Sequence, residues 1–242
     1  MSEFQPLSPQ VSSLDSRAEL TIVFPLYPGV TQLDFTGPHQ FLSKLPETKV
    51  IAASLGARPI IADGLVFSGL QSLEEVSGCD VICVPGGSGC AEAMRDPAFL
   101  AEIVRLAASA RYVTSVCTGS LILAAAGLLT GRRAACHWAW RDLLAPFGVC
   151  PDPARIVRDG RFLTGGGVTA GIDFSLSLIA ELRGVEAAQE IQLALEYAPA
   201  PPFSSGRPET APAPVLDRFL AGIKPIRAER ERIVRAVAPP SP

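Results

Sequence analysis

The chain is poor in the residues from which metal centres and disulfide frameworks are built. It has two histidines, His39 and His137, and its six cysteines include no C-x-x-C pair. The Cys/His clusters of a zinc site are therefore missing, although spacing does not address ligands that are far apart in sequence. The cysteines lie in apolar runs, where reduced and buried thiols are the commoner state. We predict no metal centre and no disulfide framework.

An excess of basic residues is also lacking, as is any long apolar run. Lysine and arginine number 21 against 24 acidic residues, and the formal net charge is −3. Binding to nucleic acid or to an anionic membrane favours clustered Lys and Arg, so we expect neither partner. No basic segment followed by an apolar one opens the chain, and no stretch reaches the roughly 18 apolar residues of a membrane span. We expect a soluble, cytoplasmic protein.

Blocks of apolar residues recur along the 242 residues, of which 48% are hydrophobic and 19% charged. This balance is too apolar for disorder, and the length suffices for a substantial core. Strands are predicted at Leu20–Tyr27, Lys49–Ser54, Asp80–Pro85, Arg111–Val116 and Arg133–His137. Helices are predicted at 34–44, 97–110, 119–127, 139–146, Thr169–Arg183 and Val185–Tyr197. The alternation and the near-continuous apolarity of the strands predict an α/β fold with a mostly parallel central sheet.

This α/β domain is expected to span residues 20–197, with shorter segments before and after it. Within it, Asp159-Gly160 is a strong two-residue turn signal and predicts a small antiparallel hairpin. Residues 1–19 are polar without periodicity and are expected to form a disordered tail. Repeated prolines make residues 198–214 an extended connector, and residues 215–242 are expected to form a C-terminal helix and tail.

One segment, Ser115-Val116-Cys117-Thr118-Gly119-Ser120, places a cysteine where an apolar strand ends and a helix begins. Small residues two positions before and after the cysteine leave room for the crossing backbone of a sharp turn, which is expected to expose the sulfur. Unpaired N–H groups at the helix N-terminus favour the thiolate, which is the reactive form. Cys117 is therefore a candidate nucleophile. The alternative is a buried cysteine followed by a Thr-Gly-Ser cap.

Two further segments are expected to meet the cysteine at the same edge of the sheet. A strand ending at Pro85 opens into a glycine-rich turn, where the N–H groups of Gly87 and Ser88 suit an oxyanion hole; the alternative is a bare turn. Asp34 follows the first strand, and ligands of open α/β sheets bind outside the carboxyl ends of strands. Asp34 is a candidate for proton transfer, with a helix N-cap as the alternative.

The segment Gly165–Phe174 and His137 complete the candidate features. The glycine cluster at a loop-to-helix junction is a candidate wall for a pocket, although glycine clusters are also ordinary connectors. His137 lies at the end of a predicted strand, twenty residues after Cys117. It is a candidate partner for the thiol, and the alternative is a strand-end histidine beside Trp138.

In combination these segments resemble the isonitrile hydratase family, within the intracellular-protease-like branch of the class I glutamine amidotransferase-like superfamily. The strand-to-helix turn alone is typical of the whole superfamily, whereas the combination is typical of the hydratases. The resemblance extends from about Thr21 to Pro214 and rests on the segments Gln32–Pro38, Pro85–Gly87, Tyr112–Ser120, His137–Trp138, Gly165–Phe174 and Leu195–Phe203.

The resemblance implies a flavodoxin-like three-layer sandwich that forms a homodimer and uses no metal or organic cofactor. Its implied reaction is the addition of water to an isonitrile, R–N≡C, through a covalent cysteine thioimidate, to give an N-substituted formamide in an apolar pocket. Matching positions imply that Cys117 is the nucleophile, Asp34 the acid/base and Thr118 a supporting polar group. We predict Gly86, Gly87, Ser88, His137, Gly166 and Val168 as substrate-binding residues.

Other functions stay open for the same cysteine. Related domains precede DNA-binding modules in transcription factors, but only 28 residues follow Pro214, so a sensing role would rest on ligand or redox chemistry at Cys117. A peptidase or deglycase would need a glutamate close to the cysteine and a functional histidine. A glutaminase triad needs a late histidine followed closely by an acid, and neither His39 nor His137 is placed in that way.

Overall fold

A seven-stranded sheet forms the centre of the computed structural model, which describes residues 19–239. The tail predicted over residues 1–19 lies outside the described residues except for its last position. The strands are β1 (Leu20–Pro25), β2 (Thr48–Ser54), β3 (Ile60–Ala62), β4 (Leu65–Phe67), β5 (Gln71–Ser72), β6 (Val81–Val84), β7 (Tyr112–Val116), β8 (Arg133–Ala134), β9 (Cys150–Pro151), β10 (Ile156–Asp159) and β11 (Phe162–Gly165). The helices are α1 (Gln32–Leu42), α2 (Cys90–Ala93), α3 (Pro97–Ser109), α4 (Gly119–Ala125), α5 (Ala170–Arg183), α6 (Val185–Ala194) and α7 (Ala213–Val237).

The strand order in the central sheet is β10-β11-β7-β6-β1-β2-β5, and every neighbouring pair is parallel except β10 with β11. All residues of β6 and β7 are buried, because helices cover both faces. The helices form two groups that pack separately: α1 with α5 and α6, and α2 with α3, α4 and α7. The predicted α/β, flavodoxin-like architecture with a mostly parallel sheet is confirmed.

The prediction of a fifth sheet strand at Arg133–His137 is wrong. Only β8 is extended, and it pairs with β9 in a separate two-stranded sheet. The backbone of the next residue, Ala135, forms hydrogen bonds with side chains and not with a neighbouring strand. Its N–H donates to Thr164 Oγ1 (2.8 Å), and its carbonyl accepts from Ser120 Oγ (2.6 Å). The segment is therefore buried without being a strand. The helix predicted over 139–146 is a 3₁₀ helix, Arg141–Phe147, which ends at Gly148.

The hairpin predicted at Asp159-Gly160 is confirmed, and it joins the central sheet because β11 pairs in parallel with β7. A second hairpin, β3–β4, was not predicted. It turns at Asp63-Gly64, where both residues have positive φ, 49° and 82°. Asp-Gly between two short apolar runs is the same signal that identified the first hairpin.

The C-terminal helix α7 packs against the segment that follows β8. Its Arg230 is almost fully buried and stacks on the ring of Trp140, with 4.1 Å between guanidinium carbon and ring centroid. Arg227 donates to the carbonyl of Ala139 (2.7 Å), and Trp138 contacts Phe219. No helix among residues 19–239 is long and apolar enough to cross a membrane.

The first turn of α4 lies so close to β6 that a side chain larger than hydrogen cannot be placed between them. A Cβ added to Gly119 would stand 2.1 Å from the carbonyl oxygen of Val84. We expect Gly119→Ala to lower the free energy of unfolding by about 3 kcal/mol or more. Urea unfolding followed by circular dichroism measures this change.

The matched control is Gly222→Ala in α7, where an added Cβ meets nothing within 4 Å and the backbone is helical. This variant should stabilise the protein by up to about 1 kcal/mol, because alanine has the higher helix propensity. Equal and small effects of the two substitutions would contradict the close approach of α4 to β6.

Candidate active site

Cys117 lies between β7 and α4 with a φ of +59°, in the left-handed region that residues other than glycine rarely adopt. Its N–H donates to the carbonyl oxygens of Gly166 (2.7 Å) and Gly165 (3.1 Å), and these bonds hold the strained turn in place. The strand-to-helix turn is present as predicted. The expected exposure of the sulfur is wrong, however, because only 6% of the Cys117 surface is exposed.

Asp34 lies in the first turn of α1, and its side chain is fully buried. Oδ2 accepts a hydrogen bond of 3.0 Å from the Gly86 amide across the sheet edge. Oδ1 has no hydrogen-bond partner among the described residues. The helix N-cap position is held by Thr31, so the N-cap alternative for Asp34 does not apply.

Burial raises the pKa of Asp34 from 3.8 to about 7. Interaction with the Cys117 thiol and the Gly86 amide bond lower this pKa, and the charge of Asp63 raises it. The thiol is close enough to favour the carboxylate, although the thiol and Oδ1 do not form a hydrogen bond of ordinary geometry. Asp34 therefore exchanges its proton near neutral pH, which suits general acid/base chemistry.

Burial also raises the pKa of Cys117 well above its usual value, and the nearby Asp34 raises it further. The Thr118 amide opposes this shift by donating toward the sulfur. The helix N-terminus favours the thiolate as expected, but the loss of hydration outweighs it. The resting cysteine is a thiol beside a carboxyl group that can accept its proton.

Thr118 and the glycine-rich turn form the other side of the site. The Gly87 amide donates to Thr118 Oγ1 (2.9 Å), so this amide already has an acceptor within the protein. A Cβ on Gly86 would stand 2.5 Å from the Thr118 amide nitrogen and 2.8 Å from Asp34 Oδ2. Ser88 Oγ donates to the carbonyl of Gly29 (3.2 Å) and so ties the turn to the loop after β1.

The remaining predicted residues, His137, Gly166 and Val168, line one pocket of about 450 Å³. Gly166 is also the residue whose carbonyl binds the Cys117 amide. His137 Nδ1 accepts from the Ala139 amide (3.2 Å), and burial, with the charge of Arg230, lowers the pKa of the ring. Within residues 19–239 no hydrogen bond joins His137 to Cys117.

Several residues of this pocket were not predicted as site residues. Arg141 and Arg155 reach it from the segments after β8 and β9, and Arg207 and Glu209 reach it from the proline-rich connector. The pocket is therefore more polar than the apolar pocket that the resemblance implies. Isolated arginines in loops carry no local sequence signal, and only the folded chain brings them together. In the described part of the chain no group of His, Cys, Asp and Glu is arranged to hold a metal ion.

A parallel α/β sheet with a cysteine on a strand-to-helix turn defines the nucleophile-elbow class of α/β proteins. Within that class, the DJ-1/PfpI family matches residues 20–181, and the chain belongs to this family. It is 50% identical to the isonitrile hydratase of Pseudomonas putida over 220 residues, which are 90% of this chain and 96% of that protein. The resemblance inferred from the sequence segments is confirmed.

Two further comparisons bear on the fold and on the relatives. A solved structure of a ThiJ/PfpI family protein from Pseudomonas syringae is similar with a TM-score of 0.87 and 37% identity, and covers 96% of this chain and 98% of that one. The transcriptional regulator CdhR of Pseudomonas aeruginosa is 30% identical over 180 residues, which are 69% of this chain but 52% of the regulator. This chain therefore matches about half of the regulator's length.

The raised pKa of Asp34 makes stability depend on pH. The pKa of Asp34 is about 7 in the folded protein and near 3.8 in the unfolded chain. The contribution of this shift to stability is full below the unfolded pKa and is lost as the pH rises through the folded pKa. Asp34→Asn keeps an acceptor for the Gly86 amide and removes the charge. We expect this variant to have a higher Tm than the wild type at about pH 8, with a difference that shrinks toward about pH 5.

Asp152→Asn is a control of opposite sign. The Ala154 amide and Arg133 lower the pKa of Asp152, so its charge stabilises the folded state at neutral pH and its removal should lower the Tm. Differential scanning calorimetry between about pH 5 and pH 8 measures both variants. A pH-independent effect of Asp34→Asn would contradict the raised pKa.

Proposed function

We propose that this protein adds water to isonitriles to give N-substituted formamides, with Cys117 as the nucleophile and Asp34 as the acid/base. One observation carries the proposal: a buried thiol lies beside a buried carboxyl group whose pKa is about 7. The identity of 50% to an isonitrile hydratase over almost the full length of both chains supports the same reaction.

In the first step the sulfur attacks the terminal carbon of R–N≡C. Because Cys117 is a thiol at rest, the Asp34 carboxylate takes its proton as the S–C bond forms. Asp34 then delivers that proton to the same carbon, which gives the thioimidate R–N=CH–S–Cys. The neutral thioimidate leaves no new charge in a buried site, which avoids the cost of an unpaired ion there.

In the second step Asp34 removes a proton from water and the hydroxide adds to the thioimidate carbon, and Asp34 then passes that proton to the nitrogen. The tetrahedral species R–NH–CH(OH)–S–Cys then collapses. Its C–S bond breaks, the hydroxyl proton passes through Asp34 to the sulfur, and R–NH–CHO leaves. Water and isonitrile account for every atom of the product, so the reaction as written consumes no cofactor.

The residues around the pair have supporting roles in this mechanism. The Gly86 amide holds Oδ2 of Asp34, which leaves Oδ1 as the oxygen that exchanges protons. The Thr118 amide stabilises negative charge on the sulfur as the thiolate leaves, and the Thr118 hydroxyl positions Gly87. These contacts support Thr118, Gly86 and Gly87 as site residues, whereas Ser88 positions the turn through its bond to Gly29.

The body of the isonitrile is expected to lie in the pocket lined by His137, Gly166 and Val168. Neither Cys117 nor Asp34 lines this pocket, which adjoins the Cys117 turn through the bond from the Cys117 amide to the Gly166 carbonyl. The pocket volume of about 450 Å³ suits a small organic molecule. His137 is neutral at the working pH because burial and Arg230 lower its pKa, so it contributes a polar wall and no charge. A peptidase or deglycase function has less support, since the Nδ1 of His137 is engaged by the Ala139 amide.

The reaction is tested by incubating the purified protein with cyclohexyl isocyanide and measuring formamide by chromatography. Cys117→Ala should abolish turnover, and Asp34→Asn should lower kcat by about 100-fold or more, because both steps need its proton transfer. For the wild type we expect kcat/KM to rise with pH through about 7, as Asp34 becomes the carboxylate that accepts the thiol proton.

Cys150→Ala is the matched control, because Cys150 is the exposed cysteine among the described residues and lies in β9, outside the central sheet that carries the Cys117 turn. It should retain wild-type turnover. Formamide release by the wild type no faster than by Cys117→Ala would refute the proposal. A sensing function, which the identity to CdhR favours, would be supported if the same isonitrile bound without turnover.

We also infer that the protein forms a homodimer in which a second copy covers the β3–β4 hairpin. Three apolar side chains of this hairpin are exposed, with Ile61 66%, Leu65 50% and Val66 64% accessible. Ile61 and Val66 are cross-strand partners and share the outer face of the hairpin, whereas Leu65 lies on its other face. A small hairpin that pairs with no other strand gains stability when its outer apolar face is covered.

Val66→Glu places a charge in the proposed interface and should convert the dimer to a monomer in sedimentation velocity. Leu193→Glu is the control, because Leu193 is 83% exposed on α6, away from the hairpin, and should leave the assembly unchanged. A monomeric wild type, or a Val66→Glu protein that still forms dimers, would overturn the inference.

A further inference from the structure

The loop between β1 and α1, which carries Asp34, is held from two sides. On the inner side, the Thr31 amide donates to the carbonyl of Gly86 (2.9 Å), and Val30 forms a bridge with Gly87. On the outer side, the Gly29 amide donates to the carbonyl of Ile61 in β3 (3.2 Å). The loop is therefore fixed between the glycine-rich turn and the β3–β4 hairpin.

The second outer contact comes from the turn of that hairpin. Oδ2 of Asp63 accepts a hydrogen bond of 2.9 Å from the amide of Gln32, the first residue of α1. This amide is one of the donors that a helix start leaves unpaired, and Thr31 at the N-cap position makes no side-chain bond to it. Asp63 thus caps α1 from a segment 31 residues away.

The conformation of the turn directs this contact. Asp63 and Gly64 both have positive φ, as in the type I′ turns that suit two-residue hairpins, and aspartate tolerates this region better than most residues. A carboxylate is also favoured at a helix N-terminus by the helix dipole. The Asp63 carboxylate therefore binds α1 at Gln32, two residues before Asp34.

We propose that Asp63 is a positioning residue for Asp34: by capping the first amide of α1 it fixes the start of the helix and hence the place of the Asp34 carboxyl beside Cys117. The inference rests on the proposed role of Asp34 in isonitrile hydration. Asp63 itself does not contact the reacting atoms in this arrangement, because it acts through the backbone of α1.

The charge of Asp63 adds a second effect. The ionisable groups that interact with Asp34 from the surrounding elements are Tyr27 of the loop after β1, Cys83 of β6, Cys90 of α2, Cys117 of the turn and Asp63 of the hairpin. None of them is basic, and Asp63 raises the pKa of Asp34. Removing this charge should therefore move the pKa of Asp34 downward.

Two variants separate position from charge. Asp63→Asn keeps an oxygen acceptor for the Gln32 amide and should keep kcat within about twofold of the wild type. Its kcat/KM profile against pH should shift to lower pH by a few tenths of a unit. Asp63→Ala also loses the bond and should lower kcat about tenfold with little change in KM, because the carboxyl is no longer held at the reacting atoms.

Asp96→Ala is the matched control. Asp96 also accepts amide bonds at a helix start, from Ala98 and Phe99 of α3, so its loss should lower the Tm without changing the pH profile or kcat. Asp63→Ala with wild-type kcat and pH profile would overturn the proposal. So would a loss in Asp63→Ala that Asp63→Asn does not rescue.

A readout that does not depend on the substrate distinguishes this proposal from the proposed function. The rate of Cys117 alkylation by iodoacetamide, followed against pH by mass spectrometry, reports the carboxyl–thiol pair directly. Asp63→Ala and Asp63→Asn should each change this profile, and Asp96→Ala should not. If the wild type does not hydrate cyclohexyl isocyanide, the proposed function fails, whereas the alkylation profiles still support or overturn the role of Asp63.

Discussion

The arrangement of the site depends on one close approach of backbone segments at Gly86 and Gly119. The end of β6, the turn at Cys117 and the start of α1 meet at distances that leave no space for a Cβ. Because no side chain intervenes, the Gly86 amide reaches Asp34 and the Gly87 amide reaches Thr118. The positions of the Asp34 carboxyl and of the Thr118 hydroxyl against the glycine-rich turn follow from this contact.

Burial of the pair has opposite consequences for stability and for chemistry. A carboxyl group in this position would be more stable in water, and its raised pKa expresses that cost. The same shift makes Asp34 a proton donor and acceptor near neutral pH, while burial keeps Cys117 protonated. Sites that are organised for reaction commonly reduce stability in this way. The left-handed backbone of Cys117 is a second example, held by the Gly165 and Gly166 carbonyls.

Much of the fold was predictable because buried parallel strands have a continuous apolar pattern. The strands of the sheet centre, the turn at Cys117 and the Asp159-Gly160 hairpin follow from such local signals. The strand predicted at Arg133–His137 was wrong because burial alone does not make a strand. At Ala135, hydrogen bonds with the Thr164 and Ser120 side chains replace the backbone hydrogen bonds of a sheet. The β3–β4 hairpin was missed because its strands have three residues each and expose several apolar side chains, so the Asp63-Gly64 turn stood without a periodic pattern.

The sequence by itself determined the order of elements and the candidate pair Cys117 and Asp34, since these follow from local patterns and from a set of segments typical of a family. Only the tertiary structure decided the chemical state of that pair. The helix N-terminus predicts a thiolate, but solvent exclusion depends on what packs over the sulfur, and here burial dominates. The tertiary structure likewise brought Asp63 to the first amide of α1, because that contact joins residues whose separation no local pattern encodes.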